Sequence, residues 1–202
     1  MKKTLVCLFL GGLLVGALGA ASAQTGTTEP VQKPTTVKLG ILLPADATGR
    51  HYAGSPALSA GVDYAFEKTA DTNPTLPSIY LDYNGGSGNG GHIYTYGAGL
   101  AVRTYGSAPS GATAQKVSPY FGAGLGVYYI DARNTYETTS GSGESAVTTT
   151  SHTSGTSTGF GGKVFGGLEF SQSFLVELNY QWLPGRFGIN PSGLGLQGGV
   201  RF

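Results

Sequence analysis

Apolar residues fall on every second position in one stretch of this chain after another, and no pattern in the sequence constrains the fold more. Between residues 174 and 183, Phe174, Val176, Leu178, Tyr180 and Trp182 share one face, and Glu177, Asn179 and Gln181 share the other. A period of two belongs to strands, whose side chains point alternately to opposite faces. The closing segment repeats it, with Leu194, Leu196, Val200 and Phe202 against Gly195, Gln197, Gly199 and Arg201. Phe160, Val164, Leu168 and Phe170 oppose Gly161, Lys163, Gly167 and Glu169, and Phe121 to Tyr129 alternates with Gly122, Gly124 and Gly126. Tyr94, Tyr96, Ala98, Leu100 and Val102 oppose Thr95, Gly97, Gly99 and Arg103.

Three earlier segments are less regular. Ile79, Leu81 and Tyr83 oppose Asp82; Leu58, Val62, Tyr64 and Phe66 oppose Ser59, Gly61, Asp63 and Glu67; Val37, Leu39, Ile41 and Leu43 oppose Lys38 and Gly40. That makes eight strands. Each approaches the ten or so residues that a tilted strand needs to cross a bilayer. The connectors on one side would be 45–57, 85–91, 132–157 and 184–191, and on the other 69–77, 106–118 and 171–173. The Ser/Thr/Gly-rich segment 132–157 reads as a mobile surface loop, and the Gly-rich 85–91 as a loop at a barrel mouth.

The first 23 residues read as an export signal. Lys2 and Lys3 precede a small apolar run, and Ala21-Ser22-Ala23 offers a small-x-small cleavage site before Gln24. The competing reading, a helical anchor, fits poorly with Gly11, Gly12, Gly16 and Gly19 inside the run. Cys7 is the one cysteine of the 202 residues, so cleavage after Ala23 leaves no disulfide and no thiolate ligand. Residues 24–36 form a Thr/Pro/Gln lead-in, and 37–202 the barrel domain. No apolar run after the signal is long enough for a membrane helix, so a membrane form of this chain crosses with strands.

Two folds share this alternation: a soluble barrel or sandwich with an apolar core, and a membrane barrel with its apolar face outward. Composition bears on the choice. Charged residues make up 11% of the chain, and glycine fills 35 positions. A face turned to water would be rich in Lys, Glu and Thr, yet the polar face here is mostly small, with charges of both signs. Lys38, Arg103, Lys163 and Arg201 stand against Asp63, Glu67, Asp82, Glu169 and Glu177, a near balance that suits a closed interior where charges must pair. Leu42, Tyr128 and Phe165 are apolar exceptions pointing inward. Aromatic residues on the apolar face gather at strand ends, as interfacial girdles do. One girdle comprises Tyr64, Phe66, Phe121, Phe170, Phe174 and Phe202; the other comprises Tyr83, Tyr94, Tyr96, Tyr129, Phe160, Tyr180 and Trp182. The reading is all-β, an eight-stranded antiparallel up-and-down transmembrane barrel.

Pro119-Tyr-Phe-Gly-Ala-Gly-Leu-Gly-Val-Tyr-Tyr, Val176-Glu-Leu-Asn-Tyr and the ending Leu196-Gln-Gly-Gly-Val-Arg-Phe202 resemble the small bacterial outer-membrane β-barrels. These include the OmpA transmembrane domain and the OmpX/Ail and OmpW types, often labelled porin family, and the resemblance covers about residues 37–202. It implies an outer-membrane protein of a diderm bacterium, in contact with outer-membrane lipid. It also implies periplasmic chaperones and a barrel-assembly machinery that reads Val200 and Phe202 as an assembly signal, with Gln197 where that signal often has Gly. Unlike full-length OmpA, the chain stops at the barrel, so no peptidoglycan-binding domain is expected.

Chemistry is sparse in the sequence. Glu177 and Arg201 fall on adjacent strands, with Glu169 and Lys163 on the strand before. They read as structural ion pairs filling a narrow barrel or, alternatively, as a narrow passive path for small solutes or ions. A lipid-modifying enzyme would need a nucleophilic Ser beside a His base and an acidic partner, and His152-Thr153-Ser154 is the one local hint, set among repeated Ser and Thr. His51 and His92 make no metal spacing, and 85–91 lacks the Lys-Ser/Thr of a phosphate loop. A formal charge of +1 argues against a nucleic-acid partner. The expectation is therefore no catalytic, cofactor or metal site, and a structural or surface-interaction role through the loops, with the extracellular partner unknown.

Overall fold

A computed structural model describes residues 34–66, 75–88, 90–105, 117–140, 147–170, 173–185 and 188–202. The export signal, cleavage site, most of the lead-in and Glu67 lie outside these residues. Eight strands form a closed barrel in sequence order: β1 Thr35–Pro44, β2 Ala57–Ala65, β3 Thr75–Gly88, β4 Gly91–Tyr105, β5 Val117–Ser140, β6 Val147–Phe170, β7 Phe174–Trp182 and β8 Gly193–Arg201. Every neighbouring pair is antiparallel, from Val37↔Val62 between β1 and β2 to Leu178↔Leu196 between β7 and β8. β8 closes the ring on β1, with Val37 opposite Val200 and Ile41 opposite Leu196. Phe202 extends the closure: its N–H donates to the Thr35 carbonyl at 2.8 Å. A closed ladder satisfies strand backbones within the barrel and leaves no lateral edge to pair elsewhere.

The two faces part as the alternation predicts. Leu39, Leu100, Leu125 and Leu178 lie on the exterior, Leu125 at 68% exposure. Lys38, Asp82, Lys163 and Glu177 lie inside, with Glu177 fully buried. Apolar outside and charged inside is the reverse of a water-soluble barrel. The inward exceptions Leu42, Tyr128 and Phe165 are all buried, with Tyr128 at 0% exposure.

The long connector departs from expectation. Residues 132–157 are not a loop: β5 runs to Ser140 and β6 starts at Val147, paired from Ala132↔Gly155 to Ser140↔Val147. Its many threonines are β-branched and favour extended backbone, and antiparallel partners close in sequence complete the ladder. The ladders with β4 and β7 stop at His92↔Arg133 and Gly162↔Trp182, so the outer part of this hairpin stands clear of the barrel wall.

The Gly-rich 85–91 also belongs mainly to strands. β3 continues to Gly88 and β4 begins at Gly91, with Gly90 at φ 78° in the connection, a conformation that favours glycine. Segment 45–57 holds a short helix, α1 (Ala47–Ala53), capped by Asp46, whose carboxylate accepts from the Gly49 N–H. Arg50 ties the start of this segment down, donating to the carbonyls of Pro44 and Ala45 at 3.0 and 2.9 Å.

Candidate functional site

The barrel interior is layered, and the strands supply each layer through residues two apart. At the end holding Thr35 and Phe202, Arg201 of β8 donates to Glu169 of β6 and to the Tyr105 hydroxyl of β4, both at 2.8 Å. The next layer is a four-membered charge cluster. Lys38 lies 2.8 Å from Asp63 and 2.9 Å from Glu177, and Arg103 lies 3.2 Å from Asp63 and 3.8 Å from Glu177. Tyr120 donates to Glu177 at 3.1 Å, and the Arg103 guanidinium sits 4.5 Å from the centre of its ring.

Above this, Lys163 pairs with Asp82 across the lumen at 2.9 Å and lies 3.9 Å from the centre of the Tyr80 ring. The Tyr80 and Tyr128 hydroxyls meet at 3.1 Å. A neutral network follows: Asn84 accepts from Ser59 and donates to Gln181 and Thr95, while Gln197 donates to Ser59 and accepts from Asn179. The far end is apolar, where Ala53 of α1 packs with Ile93, Ile130, Ala132 and Ile189. Residues of the helix, of β4 and β5 and of the β7–β8 connection thus pack together at that mouth.

The sequence places Lys38, Asp63, Asp82, Arg103, Lys163, Glu169, Glu177 and Arg201 on one face, and the fold brings all eight into the lumen, four cations against four anions. Their pairing differs from the neighbour-strand expectation. Glu177 pairs with Lys38 and Arg103 and not with Arg201, which goes to Glu169. Apart from Lys38–Asp63, which joins the neighbours β1 and β2, the pairs join strands two or three apart, because inward residues at one height of a narrow barrel reach one another and closure and stagger set that height.

The lumen is less small than its glycines suggest. Besides Tyr128 and Phe165 it holds Tyr80, Tyr105, Tyr120 and Leu175. Phasing could have found the tyrosines: Tyr80 is two residues from Asp82, Tyr105 two from Arg103, and Tyr120 precedes outward Phe121. The glycines make room for these rings. A β-carbon at Gly99 would come within 2.7 Å of Tyr80 Cζ, and one at Gly126 within 2.6 Å of its hydroxyl. One at Gly97 would collide with the Tyr128 ring, and one at Gly122 with Phe165.

On the exterior, Tyr64, Phe66, Phe121, Phe170 and Phe174 lie exposed toward the end holding Thr35 and Phe202. Toward the other end, Tyr129, Phe160, Tyr180 and Trp182 are exposed, Phe160 at 87%. Tyr83, Tyr96 and Tyr129 there form a ladder with ring centres 5.3 and 6.2 Å apart. Tyr94 stacks on His92 at 4.9 Å. Phe202 and Val200 lie on β8 or just past its end, beside β1. His152 and Ser154 share the outward face of the hairpin; His152 Nδ1 lies 3.0 Å from the Thr135 hydroxyl and 3.5 Å from Arg133, so a guanidinium faces the imidazole where a triad needs a carboxylate.

No protein-family model matches the chain, and no curated protein matches it. Solved structures do. It is similar to Neisserial surface protein A at 13% identity, over 83% of this chain and 92% of that one, with a TM-score of 0.51. It is similar also to the outer membrane enzyme PagL (13%, 83% and 99%, 0.49) and to Ail, the attachment invasion locus protein of Yersinia pestis (11%, 85% and 99%, 0.46). At such identities the likeness concerns the fold alone, a closed eight-stranded antiparallel barrel.

Proposed function

We propose that this chain is an integral outer-membrane protein whose filled barrel does not conduct and whose role is structural or surface-interacting, exercised through the β5–β6 hairpin. One observation carries the reading. The interior is occupied from end to end by paired charges, tyrosines and an apolar cap, while the hairpin extends past the barrel wall with polar side chains on both faces. A narrow eight-stranded barrel filled by side chains serves as an anchor, and sixteen or more strands are needed for an open channel. The apolar exterior and the aromatic residues toward each end match a bilayer's hydrocarbon band and its two interfaces. On this reading Phe202 and Val200 are the assembly signal, and the end holding Thr35 and Phe202 is periplasmic.

The test has two arms. Outer-membrane fractionation with a heat-modifiable shift on SDS gels reads the barrel, and a soluble periplasmic product without a shift would sink it. Planar-bilayer recording reads the lumen: the expected trace is silent, and a steady conductance altered by Glu177→Gln or Arg201→Gln would replace this reading with a solute path.

A further inference from the structure

The outward face of β4, β5 and β6 carries a second polar cluster, outside the lumen and just beyond the Tyr83–Tyr96–Tyr129 ladder. Arg133 lies four residues past Tyr129 on β5, directly opposite His92 of β4 on one side and Ser154 of β6 on the other. His152 stands diagonal to it, with Nδ1 3.5 Å from the guanidinium. Two carboxylates share this face. Asp131, one row nearer the tyrosines, lies 3.6 Å from His92, and Glu137 stands two rows beyond Arg133. Among the described residues no carboxylate lies within ion-pair distance of Arg133. The guanidinium has five N–H donors, and its side-chain contact among the described residues is His152 Nδ1 at 3.5 Å, a nitrogen already 3.0 Å from the Thr135 hydroxyl.

Height gives this arrangement its meaning. Four residues of a tilted strand rise about 10 Å, the step from an interfacial tyrosine to the phosphate level of a lipid headgroup. We infer that Arg133, with Ser154, His92 and His152 around it, binds the phosphate of an outer-leaflet lipid with a phosphorylated sugar headgroup. The inference rests on the membrane reading above. The planar fork of arginine matches two phosphate oxygens, and the strand ladder on both sides of Arg133 fixes where it can reach. Ser154 offers a hydroxyl on the same row, and the Tyr94–His92 stack offers a flat face for a sugar.

The test uses the full mature chain folded in detergent, with native mass spectrometry reading bound lipid. Bis-phosphorylated lipid A is the probe, its dephosphorylated form the comparison, and inorganic phosphate the competitor. The expected result is retention of the phosphorylated lipid, loss of roughly tenfold in affinity on Arg133→Gln, and no loss on Arg50→Gln, a cation on α1. Equal binding of the dephosphorylated lipid, or unchanged binding by a correctly folded Arg133→Gln, overturns the inference. Displacement by millimolar inorganic phosphate also overturns it, because the site would then take free phosphate. Heat-modifiability is read on the same samples. A wild-type chain without the shift brings down the membrane reading and this inference together, whereas a shift with a negative lipid result brings down this inference alone.

Discussion

Lys38 Nζ lies 2.8 Å from Asp63 Oδ2 and 2.9 Å from Glu177 Oε1, so one ammonium from β1 joins carboxylates from its neighbour β2 and from β7, on the far side of β8. The three side chains are almost fully buried, and Arg103 supplies the second positive charge of the cluster. Buried charges of this kind are held by one another, and removing one member strands the rest.

Lys38→Met is expected to destabilise the folded barrel by about 3–5 kcal/mol, because Asp63 and Glu177 would face one another with Arg103 as their remaining cation. Urea unfolding in detergent, followed by Trp182 fluorescence, measures this. Adding Glu177→Gln should recover part of the loss by restoring charge balance. A single variant within about 1 kcal/mol of wild type would contradict the cluster's role.

Gly97 faces the Tyr128 ring so closely that a β-carbon has no room. Gly97→Val is expected to cost about 1–3 kcal/mol through overpacking. Gly97→Val with Tyr128→Ala should be more stable than the sum of the two single effects predicts, since one change vacates the space that the other fills. Strict additivity in the same unfolding assay would rule out the steric account.

Asn84 sits at the centre of the neutral network, with Ser59, Thr95 and Gln181 all hydrogen-bonded to it. Asn84→Leu leaves these buried groups short of partners, and a loss of about 2–4 kcal/mol is expected. Conductance recording on the same variant should remain silent, because the apolar cap of Ile93, Ile130 and Ile189 is untouched. Channel events would show that the network, and not the cap, seals the lumen.

The outer hairpin pairs with itself and not with β4 or β7. Replacing residues 135–152 by an Asn-Gly turn should therefore leave the heat-modifiable shift intact, with a melting temperature within a few degrees of wild type. Loss of the shift would mean that the hairpin is needed to build the barrel. Any surface-binding activity that survives the shortening would have to be reassigned to another part of the molecule.

Much of the fold was legible because a period of two reports directly on face. Val37, Leu125 and Leu178 could be sorted from Lys38, Gly126 and Glu177 without coordinates, since any strand displays alternate residues oppositely. The same rule, carried one step further, would have placed Tyr80, Tyr105 and Tyr120 inside. Residue chemistry and phase conflict there: an aromatic ring suits the exterior girdles, whereas a place two residues from Asp82 or Arg103 puts Tyr80 and Tyr105 in the lumen. The hairpin departs from the expected loop for a related reason: Ser, Thr and Gly composition suggests a loop, yet residues 132–140 and 147–157 are close in sequence and pair along their length. Composition describes residues singly, whereas a ladder depends on what stands opposite.

By itself, then, the sequence determined the strand count, the two faces and the presence of opposite charges on one of them, because alternation is a local property of the chain. What tertiary structure alone decided is partnership. Closure of β8 on β1 sets the stagger of the ring, the stagger sets the height of each inward residue, and height determines that Lys163 meets Asp82 and Arg201 meets Glu169. The same geometry lets glycines on β4 and β5 accommodate tyrosines from β3 and β5. The glycine–tyrosine contacts follow from the register of neighbouring strands, whereas those two ion pairs join strands two or three apart, and no window of sequence contains either the register or the height.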